Sequence, residues 1–188
     1  GGPQGTSPLV TLTGSNLRGT SGTILFQGPG ISPPRQIPAS GTDWVAPTTA
    51  KGVVSLTGLD TGVYSLSIQN TGAAASNQVS FSVTPGQPAL TSVSPTSVTR
   101  QDALVPVTLT GTNFAKPDAN GNAASQVMIS ADGGATFFAL TGSTVTVASS
   151  TSIQIQFDSR TAVPGPYQIQ VWNPPGPQKS GSVSFTVN

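Results

Sequence analysis

Three segments of this chain recur in the same order about one domain length apart, and that repetition restricts the available folds more than any other feature. Pro8-Leu-Val-Thr-Leu-Thr-Gly-Ser-Asn-Leu17 returns as Val105-Pro-Val-Thr-Leu-Thr-Gly-Thr-Asn-Phe114. Gly62-Val-Tyr-Ser-Leu-Ser-Ile-Gln-Asn70 returns as Gly165-Pro-Tyr-Gln-Ile-Gln-Val-Trp-Asn173, and Val79-Ser-Phe-Ser-Val83 as Val183-Ser-Phe-Thr-Val187. Each copy therefore reads as one domain. Thr84-Pro-Gly-Gln-Pro88 lies between the copies and suits a short, semi-rigid linker. The boundary falls near Gln87, giving domains 1–87 and 88–188.

Within each copy the apolar residues alternate. Tyr64, Leu66 and Ile68 in the first copy, and Ile153, Ile155 and Phe157 in the second, show the period of two that marks half-buried strands. With 22 Gly and 17 Pro spread along 188 residues, long helices are excluded, because each Gly or Pro costs a helix interior about 1 or 3 kcal/mol. No helical crossover is available to join parallel neighbours, so the strands pair antiparallel. Asp132-Gly133-Gly134 offers a hairpin turn, and Gly28 to Pro34 reads as a loop. The predicted fold is all-β: two tandem antiparallel β-sandwiches of immunoglobulin-like size. Asp60-Thr-Gly-Val-Tyr64 has the form of a tyrosine corner, and Pro164-Gly-Pro-Tyr167 repeats it without the Asp. A weaker corner is expected there.

Leu90-Thr-Ser-Val-Ser-Pro95, followed by Val107 to Phe114, Gly165 to Asn173 and Val183 to Val187, resembles the IPT/TIG family of early-set immunoglobulin-like domains. The resemblance covers residues 88–188 and covers the first copy less fully. Nothing before Pro8 matches the lead-in strand of Leu90 to Pro95, so the first domain is expected to lack its first strand. The resemblance implies a tandem pair of the kind found in bacterial surface and secreted proteins, in plexin-type receptors and in Rel-type transcription factors. It implies no single activity, because one sandwich serves as spacer, adhesin or ligand binder.

Composition removes several function classes. The chain contains no His, no Cys and no Glu, so the common general bases, thiol nucleophiles and imidazole or thiolate metal ligands are missing. No catalytic residue, metal site or cofactor is expected, and the chain reads as a non-enzyme. Six Asp remain, most of them beside turn formers. Asp118-Ala-Asn120-Gly-Asn122 alternates oxygen side chains, but its Gly position and the missing Glu depart from a calcium loop, so a polar turn is favoured. The seven basic residues are scattered singly, which argues against a nucleic-acid surface. No run approaches the roughly 20 apolar residues of a membrane helix, so no membrane insertion is expected.

Trp172 falls out of phase with the core residues Tyr167, Ile169 and Val171, alongside Gln168 and Gln170, and so points outward. It can stack on a sugar or anchor a protein, or it can be covered by a fold-back of Pro174-Pro175. Trp44 stands in the region where the copies diverge most and is equally open. These two tryptophans are the candidate contacts for a ligand or partner. With charged residues at only 7%, and with Ser-, Thr- and Asn-rich faces, an extracellular or cell-surface setting is expected. The leading reading is a structural or adhesive module of a secreted or cell-surface protein, with bacterial origin preferred. Carbohydrate binding through the tryptophans is the alternative. Partners are then a protein or glycan at a cell surface, with strand addition at an open edge of the first domain as a further option.

Overall fold

A computed structural model of the protein describes residues 1–17, 22–39, 48–100, 104–117, 124–174 and 178–188. The chain forms two compact units, Gly1–Thr84 and Pro85–Asn188. The first unit holds strands β1 (Gly2–Pro3), β2 (Leu9–Thr13), β3 (Gly22–Gly28), β4 (Ile31–Pro38), β5 (Thr49–Val53), β6 (Gly62–Asn70) and β7 (Val79–Thr84). One sheet has the order β1-β7-β6-β3-β4 and the other consists of β2 and β5.

The second unit holds β8 (Ala89–Ser94), β9 (Ser97–Val98), β10 (Leu104–Thr112), β11 (Gln126–Ser130), β12 (Phe138–Ala139), β13 (Thr144–Ser149), β14 (Ser152–Asp158), β15 (Gly165–Asn173), β16 (Gln178–Lys179) and β17 (Val183–Val187). Its sheets are β13-β14-β10-β8 and β12-β11-β15-β17-β9, with β16 added beside β15. Among the described residues every regular element is a strand, as the spread of Gly and Pro predicts.

Equivalent strands pair alike in both units. β2 lies on β5 as β10 lies on β14, and β3-β6-β7 repeats as β11-β15-β17. Each core sits between its two sheets, where the inward side chains of the alternating runs meet. Phe26 is fully buried, stacked on Tyr64 at 5.1 Å between ring centroids and met edge-on by Phe81 at 5.8 Å. In the second unit Phe157 and Phe185 form an edge contact at 5.2 Å. Phe81 and Phe185 are buried, as their phase in the last strand predicts, and Phe114, which takes the place of Leu17 after the turn, is buried as well.

Two polar clamps recur at matching positions. The Tyr64 hydroxyl donates to the Asp60 carbonyl at 2.9 Å, and the Tyr167 hydroxyl donates to the Val163 carbonyl at 2.6 Å. The acceptor is backbone in both cases, so losing Asp at position 163 leaves the second corner intact, against expectation. Asn16 and Asn113 each take φ near 59°, a left-handed turn that Asn tolerates. The carbonyl each exposes accepts an amide hydrogen from the Asn closing the central strand, Asn70 to Asn16 at 2.8 Å and Asn173 to Asn113 at 2.7 Å.

Two further expectations are corrected. Residues 31–38 form an edge strand on β3 rather than a loop, with Gly30 at φ 72° turning the hairpin. Pro33, Pro34 and Pro38 are compatible with this because an edge strand leaves one side of its backbone unpaired. The stretch read as a linker is also tied down. The Gly86 carbonyl accepts from Asn173 at 2.7 Å and the Gln87 carbonyl from Asn113 at 2.9 Å, which draws Pro85 to Gln87 into the second unit.

Candidate functional site

Trp172 lies on β15 with Gln126 of β11 on one side and Lys179 of β16 on the other. Its neighbours in phase along β15 are Gln170 and Gln168, and together they form a polar row on the face turned away from the core residues Ile169 and Val171. The indole is half-buried. Its N–H donates to Gln170 Oε1 at 3.1 Å, and Gln168 Nε2 donates to Ser184 Oγ at 3.1 Å. The Lys179 ammonium stands 4.2 Å from the ring centroid. A cation over an indole contributes about 0.5–1 kcal/mol at an exposed site.

Lys179, brought in by the short strand β16, stands over the ring; Pro175, part of the fold-back named above, lies outside the described residues. Trp44 and the Asp118-Asn120-Asn122 segment also lie outside the described residues, so only one of the two candidate tryptophans is positioned. Lys179 gave no signal in the sequence, because its partner is reached through a strand of two residues. The Asn clamps did leave a signal, since Asn stands last or next to last in two of the three matched segments in both copies.

The first unit contributes a shallow open depression of about 500 Å³ beside β3, β4 and β6, lined by Gln27, Ile31, Ser32, Val63, Ser65 and Ser80. Gly28 borders it, and a Cβ there would come within 2.4 Å of the Tyr64 ring, so glycine lets the aromatic stack form. Its walls are neutral, with no acid, base or cation among the lining side chains.

Two of the described acidic side chains, Asp132 and Asp158, are bound into turns. Hydrogen bonds from Ser130 and then Thr136 hold the Asp132 carboxyl well below the usual carboxylate range. Asp158 is paired with Arg160 through bonds of 2.7 and 2.8 Å, and these hydrogen bonds lower its pKa from 3.8 to about 2. Among the described residues no group of three or more His, Cys, Asp or Glu gathers where a metal ion could sit.

Asp158 and Asp132 are both acidified by folding, so they favour the folded state above pH 4, where the unfolded carboxyls are ionised as well. That contribution fades as pH falls from about 4 toward 2. The melting midpoint of the second unit is expected to drop across this window. Asp158→Asn should flatten part of the drop, as thermal melts at closely spaced pH values would show.

Residues 88–187 match the family model of the IPT/TIG domain. The chain belongs to the IPT/TIG family. Its second unit is the matched domain, and its first unit repeats the IPT/TIG strand pairings of the second. Among solved structures the chain is similar to the chicken CNTN1 FN1–FN3 domains, at 15% identity and a TM-score of 0.47, covering 99% of this chain and 65% of that one. It is also similar to SGBP-B of the Bacteroides ovatus mixed-linkage glucan utilization locus in complex with a mixed-linkage heptasaccharide, at 19% identity and a TM-score of 0.35. That match covers 99% of this chain and 42% of the other. No curated protein matches the sequence.

Proposed function

We propose that this chain is a non-catalytic structural or adhesive module of a secreted or cell-surface multidomain protein, formed by two tandem sandwiches that correspond to the units Gly1–Thr84 and Pro85–Asn188. The observation that carries this reading is the use made of its polar side chains. In both units the buried or half-buried Tyr and Asn clamp strands to one another at the same two places. The described carboxylates Asp132 and Asp158 are spent in the same way, on turns. Absence of His, Cys and Glu from the sequence supports a role without acid–base chemistry. Low charge with abundant Ser and Thr supports an extracellular setting.

The half-exposed Trp172, set in a row of glutamines, favours a second reading in which this face contacts a glycan or a protein. In that reading Lys179 has to yield one ring face to the ligand, and Trp44 is a further contact. A glycan and cell-surface binding screen of the intact chain beside Trp172→Ala and Trp44→Ala, each checked for folding, separates the two. The spacer reading expects no glycan signal from any of the three. A specific signal lost in either variant would replace it with recognition.

A further inference from the structure

The two units serve as internal controls for one another, and they differ along one edge. In the second unit β10 is flanked on both sides, by β14 and by β8. In the first unit β2 pairs with β5 alone among the described strands. The inward-facing positions of β2 are correspondingly more open. Val107 and Leu109 are 2% and 0% exposed, whereas the matching Val10 and Leu12 are only half-buried. Gly111 is buried and Gly14 exposed.

The glycines are the decisive pair. At Gly111 a Cβ would meet the Ala89 carbonyl oxygen at 2.1 Å and the Phe114 ring at 2.5 Å, so glycine is required by the passage of β8. At Gly14 the nearest described atoms to a Cβ would be those of the Leu17 side chain, at ordinary contact distances of 3.6 Å and beyond, and φ lies outside the region that favours glycine. Among the described residues nothing in contact with Gly14 requires a glycine. A carbonyl crossing where Ala89 crosses in the second unit would require it.

Chain direction identifies the occupant. β1 pairs parallel with β7 as β9 pairs parallel with β17; Gly2 stands opposite Val83 where Val98 stands opposite the equivalent Val187. β9 follows β8 after only Pro95 and Thr96. A strand on the open edge of β2 that runs on into β1 by the same short connection would lie antiparallel to β2, as β8 lies to β10. β8 also shows what it must carry. Leu90 and Val93 are both buried, although three apart, because the ladder shifts register between Thr110 and Gly111.

We infer that the outer edge of β2 is a strand-acceptor site, fitted to an extended segment that continues into β1 on the same polypeptide and carries apolar residues at the Leu90 and Val93 positions. By the register of β8 on β10, the Val93 position would lie opposite Leu12 and the Leu90 position opposite Gly14, with a backbone carbonyl against Gly14. The site completes a domain by β-addition rather than binding a free ligand.

The test joins a copy of Ala89–Thr96 directly ahead of Gly1 in the full chain. Amide exchange at Val10–Gly14 is expected to slow at least tenfold, and the melting midpoint of the first unit to rise by roughly 5 °C or more, the shift that about 1 kcal/mol brings in a domain of this size. A matched copy with Ser at the Leu and Val positions should give neither effect. Gly14→Ala supplies the second arm: it should be tolerated in the chain without the copy and should cancel the gain in the chain with it. The inference is overturned if the copy leaves exchange and midpoint unmoved, or if its gain survives Gly14→Ala. It is equally overturned if the free octapeptide protects these amides while the joined copy does not.

Discussion

Phe26→Ala is expected to destabilise the first unit by about 3–5 kcal/mol, the cost of deleting a fully buried aromatic and leaving most of its volume empty. The residue has no exposure, stacks on Tyr64 and receives the edge of Phe81, so its loss removes both ring contacts together. Backbone collapse into the space is limited, because Phe26 lies in β3 with β6 bonded on one side and β4 on the other. Urea denaturation should show the transition of the first unit moved to lower concentration. Phe26→Leu, which fills more of the space, should move it less. A shift below about 1 kcal/mol would mean that the site collapses freely and that the rings are not packed as described.

Asn173→Leu carries the second large effect. Asn173 is 1% exposed; its amide donates to both the Gly86 and the Asn113 carbonyls, and its own oxygen accepts from Ser125. Leucine is close in size but returns none of these bonds, and each buried group left without a partner costs about 1–3 kcal/mol. A loss of at least about 2 kcal/mol in the second unit is expected, read by denaturation. Asn70→Leu should cost less, because Asn70 is only half-buried and water can reach its partner Asn16, which is exposed. Equal costs at the two positions would show that the Gly86 bond adds nothing.

The first of these two residues was legible in advance and the second only in part. Phe26 is two residues from Ile24 in an alternating run, and period two alone places both on the inner face. Asn173 could be seen to repeat Asn70, but its bond to Gly86 joins residues far apart in the chain. Trp172 was legible as outward-facing from its phase against Ile169 and Val171, while the ammonium covering its ring was not. β4 was misread because Pro33 and Pro34 argue against a strand unless it lies at an edge, and edge position belongs to the sheet rather than to the segment.

By itself the sequence determined that the chain is all-β, that it repeats a domain of about one hundred residues, which side chains face inward, and that the chemistry of His, Cys and Glu is absent. These are local or compositional properties, readable from period and residue type. Tertiary structure alone decided that Pro85 to Gln87 join the second unit and that Lys179 meets Trp172. Each of these depends on which strands become neighbours. Hydrogen-bonded pairing between distant segments sets that, and no single segment encodes it.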